Sequence, residues 1–501
     1  MKGRNPFFLI TGMILMLAGC STPAPTISTS TPAALSTVHP MEVTTASQIF
    51  PNPLLDKFEE EGNSYPQATR YQLSWQVSPA ESTLHGEESI QYTNTETVSL
   101  TDFYLRLFPN TSFMGGEMIV SDLTVNNIPV DAELRLENSA LWFPLDPPLK
   151  PGETLSITLT YDVSIPTDNS AGYGELANMN GILSLSNTYA FVPVYDDQGW
   201  NVEVAPMIGD PVYADISFFQ VDIQTDPQQQ VVASGSCELL SRGHWGCAAG
   251  PVRDFIAVLS NKFEMETDQI DDITVQSSFL PGERAGGETA LTTALAAVAI
   301  FNDLFGEYPF RELDVVETPN LASGIEYPGM VVLADRIYTD ENVLEAVTVH
   351  EVAHQWWYNL VGNDQVDHPW LDEALAQYTT ILYYEKRYGE SVASELKEIL
   401  LQSRYQTVRG TADDLPAGLP VRAYSERQYS PSVYARGGLY FDALRKEIGD
   451  AAFFDFLREY SSRHRYGIAT PESFLDTLED ISGSRHENLY RQWITGEDTL
   501  P

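Results

Sequence analysis

The chain has 501 residues, 43% hydrophobic and 20% charged, with 28 Lys and Arg against 70 Asp and Glu for a formal net charge of −42. At about 150 residues per domain this length suggests roughly three domains with ample core, and an aromatic share of 11% with modest Gly and Pro excludes a disordered, collagen-like or coiled-coil chain. The acidic balance excludes nucleic acid as a partner and disfavours anionic lipid bound through basic patches.

Lys2 and Arg4 precede an apolar run, Phe7 to Leu17, that is too short to span a bilayer. The run ends in Leu17-Ala18-Gly19-Cys20, which resembles the lipobox of bacterial lipoproteins, where the cysteine is lipidated and becomes the mature N-terminus. An ordinary secretory signal containing a cysteine is the alternative. Residues 1–20 are therefore expected to be a signal peptide. The protein is expected to be extracytoplasmic, with its membrane contact through lipidated Cys20 on the bacterial cell envelope. No later stretch is expected to supply the ~18 apolar residues of a spanning helix. Residues 21–52 are rich in Ser, Thr, Ala and Pro, with Glu42 their single charged side chain, and read as a flexible stalk.

From 66 to 265 the pattern is strand-like. Leu155, Ile157, Leu159, Tyr161, Val163 and Ile165 alternate after Pro151-Gly152, and Phe219, Val221 and Ile223 alternate up to Asp226-Pro227. Such runs predict an N-terminal antiparallel β-sandwich or saddle domain. Cys237 and Cys247 flank the turn-like Ser241-Arg242-Gly243. In an exported protein they are expected to form a hairpin disulfide, two buried thiols being the alternative.

From 266 to 501 helical spacing takes over, so the whole is an α+β multidomain chain. Leu291, Leu295, Val298, Asn302 and Phe305 predict a helix ending at Gly306, and Leu313 to Val316 a short strand. Val343, Val347, His350, His354 and Trp357 predict a helix entered near Asp340 and ended near Gly362. The next is expected to open with Pro369 and run to about Arg387, with His368 capping it. Further helices are expected over 437–448, 451–462 and 471–481. Trp356, Trp357 and Tyr358 read as packing residues, and His464 and His486 as surface histidines.

His350-Glu351-Val352-Ala353-His354 carries the chemistry. Residues four apart share a helix face, so two imidazoles can grip one metal ion while Glu351 reaches a water beside it. Glu373, 19 positions after His354 in Trp370-Leu371-Asp372-Glu373-Ala374, supplies a third donor. Two His and one Glu leave zinc's fourth position open, the pattern of a catalytic ion, and no Cys lies near enough to close it.

His350-Glu351-x-x-His354 with Glu373 at this spacing resembles the gluzincin aminopeptidases, the family of aminopeptidase N. Gly324-Ile325-Glu326-Tyr327-Pro328-Gly329-Met330 resembles that family's Gly-Ala-Met-Glu-Asn segment, and Tyr434-Ala435-Arg436-Gly437 its Tyr-x-Lys-Gly segment. The resemblance covers about residues 66–501, loosely in the β half. It implies a thermolysin-like, mainly helical zinc catalytic domain with one Zn2+ per chain, held by His350, His354 and Glu373. Glu351 is then the general base, Tyr434 the oxyanion donor, and Glu326 with Gly324 the site for the free α-amino group of a peptide substrate. Ile325, Tyr327, Arg436 and Asp372 depart from the family pattern. The chain also ends at Pro501 without the large helical C-terminal domain of aminopeptidase N, which is expected to leave the cleft less enclosed. Tyr429 and Tyr440 are near enough in sequence to compete with Tyr434. The rival functions are an endopeptidase or other amide hydrolase on the same site, and a lipid-tethered binding or scaffold protein with a relic metal site.

Overall fold

A computed structural model describes residues 50–204 and 207–497. The expected signal peptide, Cys20 and residues 21–49 of the expected stalk lie outside the described residues. From Pro53 onward the chain is docked on the helical half: Leu54 and Leu55 are buried, Leu55 N donates to Pro309 O and Arg311 N to Pro53 O.

The β half is built on an eight-stranded sheet. Its order is Ser236–Ser241, His244–Val252, Ser217–Gln224, Thr69–Ser78, Thr83–Thr93, Thr154–Ser164, Glu117–Val125, Ile128–Pro129. Neighbours are antiparallel except Thr69–Ser78 and Ser217–Gln224, which pair in parallel. The alternation noted in the sequence is the sheet's two-residue period: Leu155, Ile157, Leu159, Tyr161 and Val163 are all buried. Gly86 lies under the Tyr161 ring, where a Cβ would sit 2.2 Å from Cζ, so a side chain is excluded there. Tyr71 stacks on Phe219 within this sheet. Trp75 meets Phe255 edge-on, linking it to a smaller four-stranded sheet that contains Ile182–Ser186 and Ile256–Ser260. Cys237 and Cys247 are direct partners across their two strands and form a disulfide, Cα to Cα 4.1 Å.

The second half opens on a five-stranded sheet ordered Glu264–Ile270, Ile273–Phe279, Glu312–Thr318, Met330–Ala334, Gly324–Tyr327. Helix α1, Arg284–Phe305, is the crossover between the parallel strands Ile273–Phe279 and Glu312–Thr318. It starts before the expected span and stops at Gly306 as expected. Contrary to expectation it is long and apolar enough to cross a membrane, but Ala290, Ala294, Ala297, Val298 and Phe301 are buried in the protein core.

Helix α2, Glu341–Ala353, is capped by the Asp340 carboxylate, which accepts from Asn342 N and Val343 N. It ends nine residues before the expected Gly362. Beyond it Asn359, Leu360 and Val361 donate to the carbonyls of His354, Gln355 and Trp356, a wider five-residue spacing. Three consecutive rings are anchored there on three different elements: Trp356 Nε1 on Gly306 O, Trp357 Nε1 on Thr379 Oγ1, and the Tyr358 hydroxyl on Asp254 Oδ2. These anchors explain why the apolar pattern continued past the helix.

Helix α3 is Glu373–Tyr388, not a helix from Pro369. Pro369 to Asp372 form turns in which His368 offers its backbone carbonyl to Leu371 N rather than capping α3. Helices at Gly437–Ile448, Asp450–Arg463 and Pro471–Ser482 match their expected spans to within a residue, the last with a Thr470/Ser473 capping box. His464 and His486 are half-buried and bonded, to Thr477 and to Glu447 and Ser482, rather than free on the surface.

Candidate metal centre and substrate cleft

The end of α2 and the start of α3 bring three donor atoms together. His350 Nε2 and His354 Nε2 are 3.2 Å apart, and they lie 3.2 and 3.4 Å from Glu373 Oε2. Tetrahedral ligands about 2.05 Å from a zinc ion stand roughly 3.3 Å from one another, so this triangle has the edge length zinc requires. His354 Nδ1 lies 2.9 Å from the Trp357 carbonyl, which can only accept; Nδ1 therefore carries the proton, and the Nε2 lone pair faces the triangle. Burial pushes the His350 pKa below its ordinary value. Burial works against ionisation of Glu373, but the two histidine rings beside it outweigh burial and hold its carboxyl well below the usual carboxylate range. The donor set fits a divalent cation: two imidazoles, one ionised carboxylate and, among the described residues, no fourth protein donor in the group.

Glu351 is buried next to the triangle. Its carboxylate occupies the space a side chain at residue 324 would need: a Cβ on Gly324 would lie 2.4 Å from Glu351 Oε1. Burial first, and then the charge of Glu326, push the Glu351 pKa well above the ordinary range. Glu326 stands on the edge strand Gly324–Tyr327, with Oε1 accepting from Gln365 Nε2 at 3.0 Å. A Glu326 oxygen, a Glu351 oxygen and a His354 nitrogen all lie within 4.8 Å of one another. Burial pushes Glu326 up to about 8, His354 opposing the shift.

Tyr434 lies in a wide helical turn, Ser430–Arg436. Its ring stacks on His350 with centroids 5.7 Å apart, and its hydroxyl donates to Glu373 Oε1. The competitors do not reach this point. Tyr429 packs edge-on against the Tyr434 ring with its buried hydroxyl unpartnered among the described residues, and Tyr440 is packed against Trp370.

The residues that depart from the family pattern are each engaged by named partners in the fold. Ile325 joins a core cluster with Val232 and Val258, and the Tyr327 hydroxyl donates to Glu175. Arg436 turns away from the metal donors, bonding Asp414 and the carbonyls of Gln492 and Trp493. Asp372 accepts from Asn363 Nδ2 and Gln365 Nε2, and burial pushes it up to about 7.

Two cleft residues were not anticipated. Gln365 sits in a loop without periodicity or motif. Asp210 comes from the β half, and its pKa is pushed well up by burial and by the charges of Glu326 and Glu373. Neither had a local signal in the sequence, because each meets the site only through tertiary contacts.

A family model described as the peptidase family M1 domain matches residues 289–493. The chain is 25% identical over 256 residues to the probable aminopeptidase 2 of Sulfurisphaera tokodaii, covering 47% of this chain and 32% of that one. It is 26% identical over 254 residues to aminopeptidase M1-B of Oryza sativa subsp. japonica, covering 48% and 29%. The chain thus spans about a third of the length of the curated relatives it matches. Its fold is similar to that of the M1 zinc metallopeptidase of Deinococcus radiodurans, with TM-score 0.64 and 22% identity over 87% of this chain and 95% of that one. A mutant of that protein, with a Tyr-Ser-Ala substrate bound, is equally similar at TM-score 0.64.

Proposed function

We propose that this chain belongs to the aminopeptidase N-like gluzincin family and is a zinc-dependent aminopeptidase that releases N-terminal residues from peptides, a reading supported by the family match and the similar relatives. The observation that carries this assignment is the placement of buried Glu326 within 4.8 Å of Glu351 and His354. A carboxylate there can pair with a substrate's α-ammonium and leave only the first peptide bond beside the hydrolytic residues. Zinc held by His350, His354 and Glu373 would supply Lewis acidity, polarising the scissile carbonyl and activating water.

The chain's own residues do the rest. Glu351 takes a proton from the attacking water and delivers it to the leaving amine, a task suited to a carboxylate whose pKa burial has raised. The Tyr434 hydroxyl donates to the oxyanion as it develops. Glu326, paired with the ammonium, sets the register. An endopeptidase would gain nothing from a buried carboxylate at this place, and a relic site would be expected to have lost one of Glu351, Glu373 or Tyr434.

The proposal extends to location: an extracytoplasmic protein tethered to the cell envelope through lipidated Cys20. The Cys237–Cys247 disulfide supports an oxidising compartment. Cys20→Ser should release the protein from the membrane fraction.

The test is a panel of aminoacyl amides and their N-acetylated forms, with and without a chelator. Hydrolysis of the free amines alone, lost on chelation and in Glu351→Gln with zinc retained, is expected. Equal cleavage of the acetylated forms would overturn the exopeptidase assignment, and substantial turnover by Glu351→Gln would overturn its role.

A further inference from the structure

Gln365, 2% exposed, sends one amide hydrogen to Glu326 Oε1 at 3.0 Å and the other to Asp372 Oδ2 at 2.7 Å. Both acceptors are buried carboxylates. The flipped amide would set its carbonyl oxygen against two carboxylate oxygens, so the chemistry fixes which atom faces them. Asp372 is tied from its other oxygen to Asn363 Nδ2 at 3.0 Å. A buried chain, Glu326–Gln365–Asp372–Asn363, therefore runs from the edge strand to the residue preceding metal donor Glu373.

The need for such a tether follows from distance. Glu326, Glu351 and His354 offer one ligand atom each within 4.8 Å, a second group of donors beside the His350–His354–Glu373 triangle. A Glu326 free to rotate could turn toward the metal instead of the substrate. Gripping Oε1 prevents that rotation and leaves Oε2 for an ammonium.

We propose that Gln365 is a positioning residue for exopeptidase selectivity, holding Glu326 as the amine anchor and away from the metal donors. This rests on the aminopeptidase assignment above.

Full-length Gln365→Met is compared with wild type on free and N-acetylated aminoacyl amides, with zinc content and thermal midpoint measured alongside. The expected result is a KM for free-amine substrates raised about tenfold, kcat within about twofold, zinc per chain unchanged, and free-over-acetylated discrimination reduced by the same factor. In a Glu326→Gln background the further change on adding Gln365→Met should stay under about twofold, because the two residues act as one unit. Unchanged discrimination, an equal effect in both backgrounds, or loss of kcat and zinc with KM untouched would each overturn the proposal. Should Gln365→Met fail to fold, Gln365→His keeps one N–H donor. Its discrimination should fall part-way, and a wild-type ratio would again overturn the proposal. Failure of the wild type to cleave free-amine substrates would instead sink the aminopeptidase assignment, which is a distinguishable outcome.

Discussion

Replacing Tyr434 by Phe removes a hydroxyl with two successive partners. In the resting site it donates to Glu373 Oε1, and under the proposed mechanism it is redirected in turnover to the developing oxyanion. A lost oxyanion donor typically costs about 2.7–4 kcal/mol, but the resting bond to an ionised carboxylate contributes about 1.5–3 kcal/mol that the hydroxyl gives up first. Taking the lower figure for the resting bond leaves about 1.2–2.5 kcal/mol, or about an 8- to 70-fold fall in kcat. That is smaller than for a donor already free. The assay is steady-state hydrolysis of a free-amine aminoacyl amide from about pH 6 to 9, with zinc measured by elemental analysis. Burial, followed by the charge of Glu373, pushes the Tyr434 pKa well above its ordinary value. The phenol thus stays protonated throughout, and the alkaline limb of the profile should not move. Tyr429→Phe, whose hydroxyl reaches no partner among the described residues, should change kcat less than about twofold. A Tyr434→Phe enzyme with unaltered kcat would refute the oxyanion assignment. So would one whose activity falls only in step with its zinc, since the tyrosine would then serve merely to hold Glu373.

Gly324→Ala would place a Cβ 2.4 Å from Glu351 Oε1 and must displace that carboxylate; kcat should fall about 100-fold with zinc retained, and wild-type kcat would refute the packing argument. Arg253 is 1% exposed and donates to the carbonyls of Tyr358, Ala214 and Gly467, so Arg253→Met should cost about 3–5 kcal/mol in urea unfolding, and a loss under about 1 kcal/mol would contradict it. Burial pushes Glu175 and Asp254 up to about 7, above their values in an unfolded chain. Between about pH 4.5 and 7 the folded state therefore holds protons that the unfolded state has released, and stability should fall as pH rises, by up to about 1.4 kcal/mol per pH unit per group. Glu175→Gln should flatten that slope in chemical denaturation, and an identical slope in the two proteins would refute the sign.

What could be read in the sequence was what is local. The pair His350 and His354 needs only a helix, and the alternation from Leu155 to Val163 needs only a strand with one buried face. The helices after 437 carry their own stops in Gly449 and Gly483, and Thr470 caps the last of them. The edge strand Gly324–Tyr327 is four residues long and buried at three of them, too short to show a period. Gln365 and Asp210 matter only because of what the fold places beside them. The parallel pairing of Thr69–Ser78 with Ser217–Gln224 joins segments more than a hundred residues apart, and no local pattern announces it.

The end of α2 at Ala353 shows how the two halves cooperate at the site. An α-helix carried on to Gly362 would supply the carbonyl of residue 354 to residue 358 and leave no turn to hold the His354 ring. Instead the chain widens after Ala353, so that the Trp357 carbonyl comes back to His354 Nδ1. That turn is pinned from the β half, by Arg253 Nε on the Tyr358 carbonyl and by Asp254 on the Tyr358 hydroxyl. The tautomer that points the His354 Nε2 lone pair toward His350 and Glu373 thus depends on two neighbouring residues of the strand-rich half. Loosening them should weaken zinc retention before it alters any residue that meets substrate: Asp254→Leu, which removes the oxygen that accepts from the Tyr358 hydroxyl, should lose zinc to a chelator faster than wild type while KM in excess zinc stays the same. Chelator kinetics identical to wild type would show that the catalytic half orders this turn by itself.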